Sequence, residues 1–142
     1  MTQEEIELLF QDLCARLPYG VKVTLAEYSG RYDCILNSQH LNSTYSIEYL
    51  GLKPYLRSLS SMTESERKEF DELSKFDEDV WMGNHKVGFP KNVRIMSKCV
   101  DWLNKNMFDY RGLIPKGLAL EAKEGIYNTV KTRNIWKPYT AN

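Results

Sequence analysis

Asp101–Gly125, DWLNKNMFDYRGLIPKGLALEAKEG, is where helix, turn, aromatic and apolar signals crowd together. Trp102, Leu103 and Met107 sit at the end of a helical pattern. The aromatic–charged corner Phe108-Asp109-Tyr110-Arg111 follows, then an apolar run punctuated by Gly112, Pro115 and Gly117 and closing on Leu118 and Leu120. That composition predicts a segment that docks onto the rest of the chain. Gly112 is placed to take the positive φ that a helix-terminating turn often needs, and Asp109 to pair with Arg111 or to accept backbone N–H groups.

Immediately upstream, Ile95, Met96, Cys99, Val100, Leu103 and Met107 keep a three-to-four spacing, predicting a core helix over 94–106. Trp81–Asn92, holding Gly83, Asn84, Gly88 and Pro90, reads as a loop or loose hairpin. Thr63 with Glu66 forms a capping box opening a helix over 63–76. Phe70, Leu73 and Phe76 mark its inner edge, and Glu64, Glu66, Glu69, Asp71 and Glu72 its solvated face. Asp77, Glu78 and Asp79 prolong the acidic run without the spacing of a calcium loop.

The N-terminus opens with a second box, Thr2 and Glu5, ahead of the stripe Ile6, Leu9, Phe10, Leu13 and Leu17, which Pro18 and Gly20 end. Arg16 lies off that stripe, and Cys14 beside it as a packed thiol. From Val21 the period shifts to two: Val21, Val23 and Leu25, then after Gly30 Tyr32, Cys34 and Leu36. Thr44–Leu50 and Leu52–Leu59 are read as further strands with a bend at Gly51. The predicted architecture is α+β: a leading helix, a small antiparallel sheet or SH3-like barrel within residues 20 to 60, two or more helices, and an extended tail. Phe10, Leu13, Phe70, Leu103, Leu118 and Leu120 are its expected core.

The 142 residues suit a single domain, with 1–126 globular and 127–142 a basic–aromatic tail. Hydrophobic residues at 42 % and aromatics at 12 % supply a core, while 27 % charged residues and a mean hydropathy of −0.49 exclude a membrane-buried chain. Nineteen basic residues balance nineteen acidic ones, so no global field steers the chain to nucleic acid or to an anionic membrane. Cys14, Cys34 and Cys99 are odd in number and far apart, and MTQEEIELLF lacks the basic start of an export signal. Reduced thiols in a cytoplasm are the expected state.

No nucleophile–base pair, metal-ligand spacing or phosphate loop stands out, so no catalytic residue, metal site or cofactor is expected. His85 is a lone acid–base candidate, and His40 lies in a turn. The ligand-binding candidates are aromatic–arginine pairs, Tyr55 with Arg57 and Tyr110 with Arg111, together with Trp136. A guanidinium beside an aromatic face pairs bidentately with phosphate or carboxylate while stacking. Tyr55 and Arg57, two apart on a strand, would share a face; alternatively Pro54 marks an edge strand whose rim Tyr55 covers.

Three blocks, DLCARLPYGVKV (12–23), LKPYLRSLSSMTESE (52–66) and WLNKNMFDYRGLIPKGLALEAKEGIY (102–127), together resemble a family of small proteins frequent in gut Bacteroidales genomes and their prophages and phages. The blocks cover a little over a third of the chain, in the same order. That family has no assigned activity, so the resemblance implies a context, a mobile-element protein in a bacterial cytoplasm, and carries over no functional residue. The leading functional expectation is a non-enzymatic binding protein, an anti-defence protein that sequesters a nucleotide-like signal or inhibits a host protein, with homo-oligomerisation in view. A nucleic-acid accessory protein using the tail, where Lys131, Arg133 and Lys137 interleave with Tyr127, Trp136 and Tyr139, ranks second. A small hydrolase ranks third.

Overall fold

The structure is a computed structural model that describes residues 1–27, 30–74, 81–82, 85–86 and 88–127. Helix α1, Gln3–Arg16, starts at the capping box the sequence announces: Thr2 accepts from the Glu5 N–H, and the Glu5 carboxylate receives the Thr2 N–H. Gly20, at φ +74°, turns the chain out of a short 3-10 turn into β1, Lys22–Glu27. The antiparallel partner β2, Gly30–Ile35, follows in unbroken register from Lys22 opposite Ile35 to Glu27 opposite Gly30.

Thr44–Leu50 is a helix, α2, and not the strand its alternating aromatic and apolar residues suggest. Local caps override that alternation. The Ser43 hydroxyl accepts from the Ser46 N–H, and Gly51 closes the last turn in the left-handed conformation. Strand β3, Lys53–Leu56, is not at the sheet edge that Pro54 suggested: it lies between β1 and the two-residue strand Leu120–Glu121. Pro54 is tolerated because its outer neighbour pairs only with Tyr55 and Leu56. Helix α3, Glu64–Ser74, opens on the expected Thr63–Glu66 box.

A two-stranded ribbon, β4 (Trp81–Met82) with β5 (His85–Lys86), leads into α4, Gly88–Lys105, which begins earlier than its apolar spacing indicated and carries Pro90 in its first turn. Last comes β6, Leu120–Glu121, which pairs with β3 in parallel. The main sheet is therefore four-stranded, ordered β2-β1-β3-β6, open rather than barrel-like, and mixed rather than wholly antiparallel. Phe76, Asp77–Asp79, Trp136 and the tail from 128 onward lie outside the described residues.

Val23 and Leu25 of β1, Leu56 of β3, Leu9 and Leu13 of α1 and Ile47 of α2 form one core, closed by Met107, Leu113 and Leu118. A second cluster gathers Trp102, Leu103 and Phe108, with Phe70 and Leu73 of α3 packed against it. Of the expected core, Leu13, Leu103 and Leu118 are buried, and Phe10 and Phe70 are partly buried at its margins. Leu120 is a correction: it is 37 % exposed, because on short β6 the buried positions are the preceding Leu118 and Ala119. Cys14 is exposed rather than packed. Among the described residues no helix is long and apolar enough to cross a membrane.

Candidate functional site: a cationic hollow beside the sheet

Cα pairing puts Lys22, Thr24 and Ala26 of β1 on one sheet face with Ile35, Asp33 and Arg31 of β2. The opposite face carries Val23 and Leu25 into the core. Where the first face meets the end of α4 there is a hollow of about 240 Å³. Gly20, Tyr19, Lys22 and Ile35 form the sheet side, Lys105, Asn106 and Met107 the helix side, and Arg57, Ile126 and Tyr127 complete the lining. Among the described lining residues three are cations and none is a carboxylate.

The helix side is shaped by an unusual terminator. Met107 adopts the left-handed conformation at φ +64°, a place normally given to glycine. Its N–H bonds to the Asn104 carbonyl at 3.1 Å and the Phe108 N–H to the Leu103 carbonyl at 2.9 Å, the two bonds of a Schellman cap. Gly112, at φ +77°, is thus not what ends the helix; it lies five residues further on. The cap aims Lys105 at the hollow's rim and buries Asn106, which is 4 % exposed. Asn106 Nδ2 donates to the Trp102 carbonyl at 2.9 Å, which fixes the amide's orientation, and Oδ1 then receives no hydrogen bond.

Among the described residues Lys22 and Lys105 have no ion-pair partner, and the Lys22 ammonium donates to the Ile126 carbonyl at 2.8 Å. Tyr127 closes the floor. Its hydroxyl receives the Lys22 N–H at 2.7 Å and donates to the Tyr55 carbonyl at 2.8 Å, taking over where the ladder between β1 and β3 stops. Burial holds that hydroxyl protonated far into alkali. A neighbouring hollow of about 190 Å³ shares Lys22, Ile35 and Ile126 and adds Asp33 and Tyr55, so the two run along one face.

The four described sequence candidates divide into two places. Tyr55 donates to Asp33 at 2.9 Å in the smaller hollow; burial first, then the Asp33 carboxylate, push its hydroxyl above the usual value. Arg57 lines the larger one, but its guanidinium grips both Glu66 oxygens, at 2.8 and 2.7 Å, while lying 4.2 Å from the centre of the Phe108 ring. Tyr55 and Arg57 therefore line neighbouring hollows and do not share a ligand-facing pair. Tyr110 and Arg111 lie elsewhere: Tyr110 donates to Asn104, and Arg111 stacks on Tyr110 and pairs with Asp12 at 2.8 Å.

Asp12 and Arg16 are the larger surprise. Both are fully buried, joined at 2.9 Å, with Arg16 Nη2 donating to the Phe108 carbonyl at 2.7 Å. Glu66 likewise is buried and not on a solvated face. His40 serves a local cap, Nδ1 accepting the Asn37 N–H at 3.1 Å. No group of three His, Cys, Asp or Glu residues is placed to hold a metal among the described residues. Sequence reasoning missed Tyr19, Lys22, Lys105 and Asn106. The only trace was a pair of lysines at element boundaries, Lys22 opening β1 and Lys105 closing α4. Compared with protein-family models, with curated proteins and with solved structures, the chain matches none of them.

Proposed function

We propose that the protein is a non-enzymatic binding protein that holds a small, nucleotide-like anion in the hollow between the sheet and the end of α4. The observation that carries this reading is the lining itself: among the described residues, Lys22 and Lys105 without ion pairs, Arg57 behind them, Tyr19 40 % exposed at the rim, and no carboxylate. Unpaired ammonium groups in a partly desolvated cleft attract phosphate, and a tyrosine ring offers a face for a planar base. The orphan Asn106 carbonyl supplies an acceptor next to that face, once the amide shifts enough to meet a donor on the ligand. On this reading the ligand is retained and released unchanged. Three cysteines that form no disulfide with one another suit a reducing cytoplasm, where a sequestering protein of a mobile element would withdraw a host's nucleotide signal.

Titration calorimetry of the full chain against a panel of mono-, di- and cyclic nucleotides tests this. Lys22→Glu and Lys105→Glu should each weaken the best binder by about tenfold or more, as expected for losing one charge-assisted contact. Boiling the complex should release the ligand unchanged. Altered nucleotide would mean an enzyme. No nucleotide binding, beside capture of one host protein that survives both substitutions, would replace this reading with a protein-directed inhibitor.

A further inference from the structure

We infer, resting on the reading of the hollow as a nucleotide site, that Asn106 selects ligands whose base carries an exocyclic amino group, which its side-chain oxygen accepts. Asn106 lines the hollow and is 4 % exposed, and its Oδ1 is a buried acceptor with no hydrogen-bond partner among the described residues. Buried polar atoms in folded proteins are nearly always paired, because an empty one costs stability. The fold itself gives this amide little to do. Its single bond, Nδ2 to the Trp102 carbonyl at 2.9 Å, duplicates another: the same carbonyl already accepts the Asn106 backbone N–H at 3.0 Å. The amide can therefore leave Trp102 without orphaning that carbonyl, and a small turn of the side chain brings Oδ1 to a donor in the hollow. What the turn gives up is a second bond to a satisfied atom; what it gains is the first bond to an empty one.

The lining decides which donor fits. Oδ1 only accepts, so the ligand must supply an N–H or O–H. A charged amine is excluded by Lys22, Lys105 and Arg57 in the same lining, which repel it. A neutral donor on an otherwise anionic molecule is left. Asn106 stands at the end of α4, where the helix carbonyls leave a partial negative charge that favours the positive end of an N–H dipole over a second phosphate. Tyr19, 40 % exposed in this lining, offers a ring face to a planar group. An amine conjugated to a heteroaromatic ring meets all of these conditions: it is neutral, it donates, and it lies in the plane that stacks. A sugar hydroxyl donates but does not stack. Uracil and hypoxanthine present a ring N–H beside carbonyl oxygens, which set acceptor against acceptor at Oδ1. Adenine, cytosine and guanine carry the required group.

Calorimetry of the full chain against matched nucleoside monophosphates tests this, each pair differing only in the amine: adenosine against purine riboside, guanosine against inosine, and cytidine against its counterpart lacking the amine. In the pair that contains the tightest binder, the amino member should bind the wild type about tenfold more tightly. Asn106→Ala should bring the two members to within about twofold of each other, at the affinity of the weaker one. Lysine-dependent binding with equal affinity for both members overturns the selection by Asn106 and leaves the hollow a nucleotide site. Binding of no nucleotide overturns both. A preference for the amine that survives in folded Asn106→Ala gives the amine another acceptor and also defeats the assignment. Should Asn106→Ala lose its fold by circular dichroism, the wild-type spectrum decides instead: the side-chain amide resonances of Asn106 should shift when the amino member binds and stay in place when the amine-free member binds. Equal shifts with both members count against it.

Discussion

At the residue scale, three arginines that a reader of the sequence would place in water hold the molecule from inside. Asp12 divides its two oxygens between Arg16, at 2.9 Å, and Arg111, at 2.8 Å. Arg57 does the same work for α3 by gripping Glu66. Burial alone would raise the Glu66 pKa, but the Arg57 ion pair and the bonds from Thr63 outweigh it and hold the carboxyl below its usual value of 4.5. A carboxyl whose folded pKa is depressed stabilises the fold above its unfolded pKa, and that contribution disappears as pH falls through the folded value. Glu66→Gln should therefore cost about 2 kcal/mol at pH 7. The gap from wild type should shrink as pH falls below about 4.5 and on through the lower folded value, where the wild-type carboxyl is itself neutralised. Urea midpoints for both proteins at pH 7 and pH 3 measure this, and an unchanged gap at the two pH values would show that the ion pair contributes nothing. None of these pairings was visible in the sequence. Asp12 and Arg16 stand four apart, as any exposed helical pair does, and the carbonyls that make burial tolerable for Arg16 come from Leu103 and Phe108.

At the element scale, caps were more legible than periodicity. Thr2 with Glu5 and Thr63 with Glu66 announced both helices, because a capping box needs only residues three apart. Thr44–Leu50 deceived because Tyr45, Ile47 and Tyr49 alternate like a strand, whereas Ser43 and Gly51 at either end are helix punctuation. The parallel pairing of β6 was invisible for another reason, since two residues carry no period at all. The corner after α4 behaved as its residues suggested. Asp109 receives the Leu113 and Ile114 N–H groups, both at 2.9 Å, and Gly112 takes the positive φ the corner requires. An added Cβ at Gly112 would meet nothing within 4 Å, so a substitution there is opposed by backbone conformation alone. Gly112→Val should lower stability by about 1 to 2 kcal/mol, with the loss read as a fall in thermal midpoint. An unchanged midpoint would mean that the corner relaxes without effort and does not organise the chain around it.

At the scale of the whole molecule, residues 101–127 work as a strap between the sheet and the α3–α4 hairpin. Arg57 of the β3 segment is bridged on both sides: its N–H donates to the Met107 carbonyl at 2.7 Å, and its own carbonyl receives the Asp109 N–H at 2.8 Å. The hollow exists only because this strap brings the end of α4 to the start of β1, so its lining could not be assembled from local sequence patterns. Tyr127 is the strap's last fastening. Tyr127→Phe keeps the ring but strands the Lys22 N–H and the Tyr55 carbonyl, at a cost of about 1 to 3 kcal/mol. Amide exchange at Lys22 should accelerate more than at Leu25, further along β1; equal protection in the two proteins would show that water serves the ladder as well as the hydroxyl does.

That fastening joins positions 105 residues apart, which matters while the chain is being made. At a synthesis rate of 5 to 20 residues per second, about 5 to 20 s separate the appearance of Lys22 from that of Tyr127. For most of that interval the core of α1, α2 and the β1–β2 hairpin lacks Met107, Leu113 and Leu118, which close it, and Arg16 has no carbonyls to meet until Leu103 and Phe108 are made. The nascent chain thus displays the open side of its core, apolar surface of the kind that chaperones bind and that neighbouring copies on one message would find first.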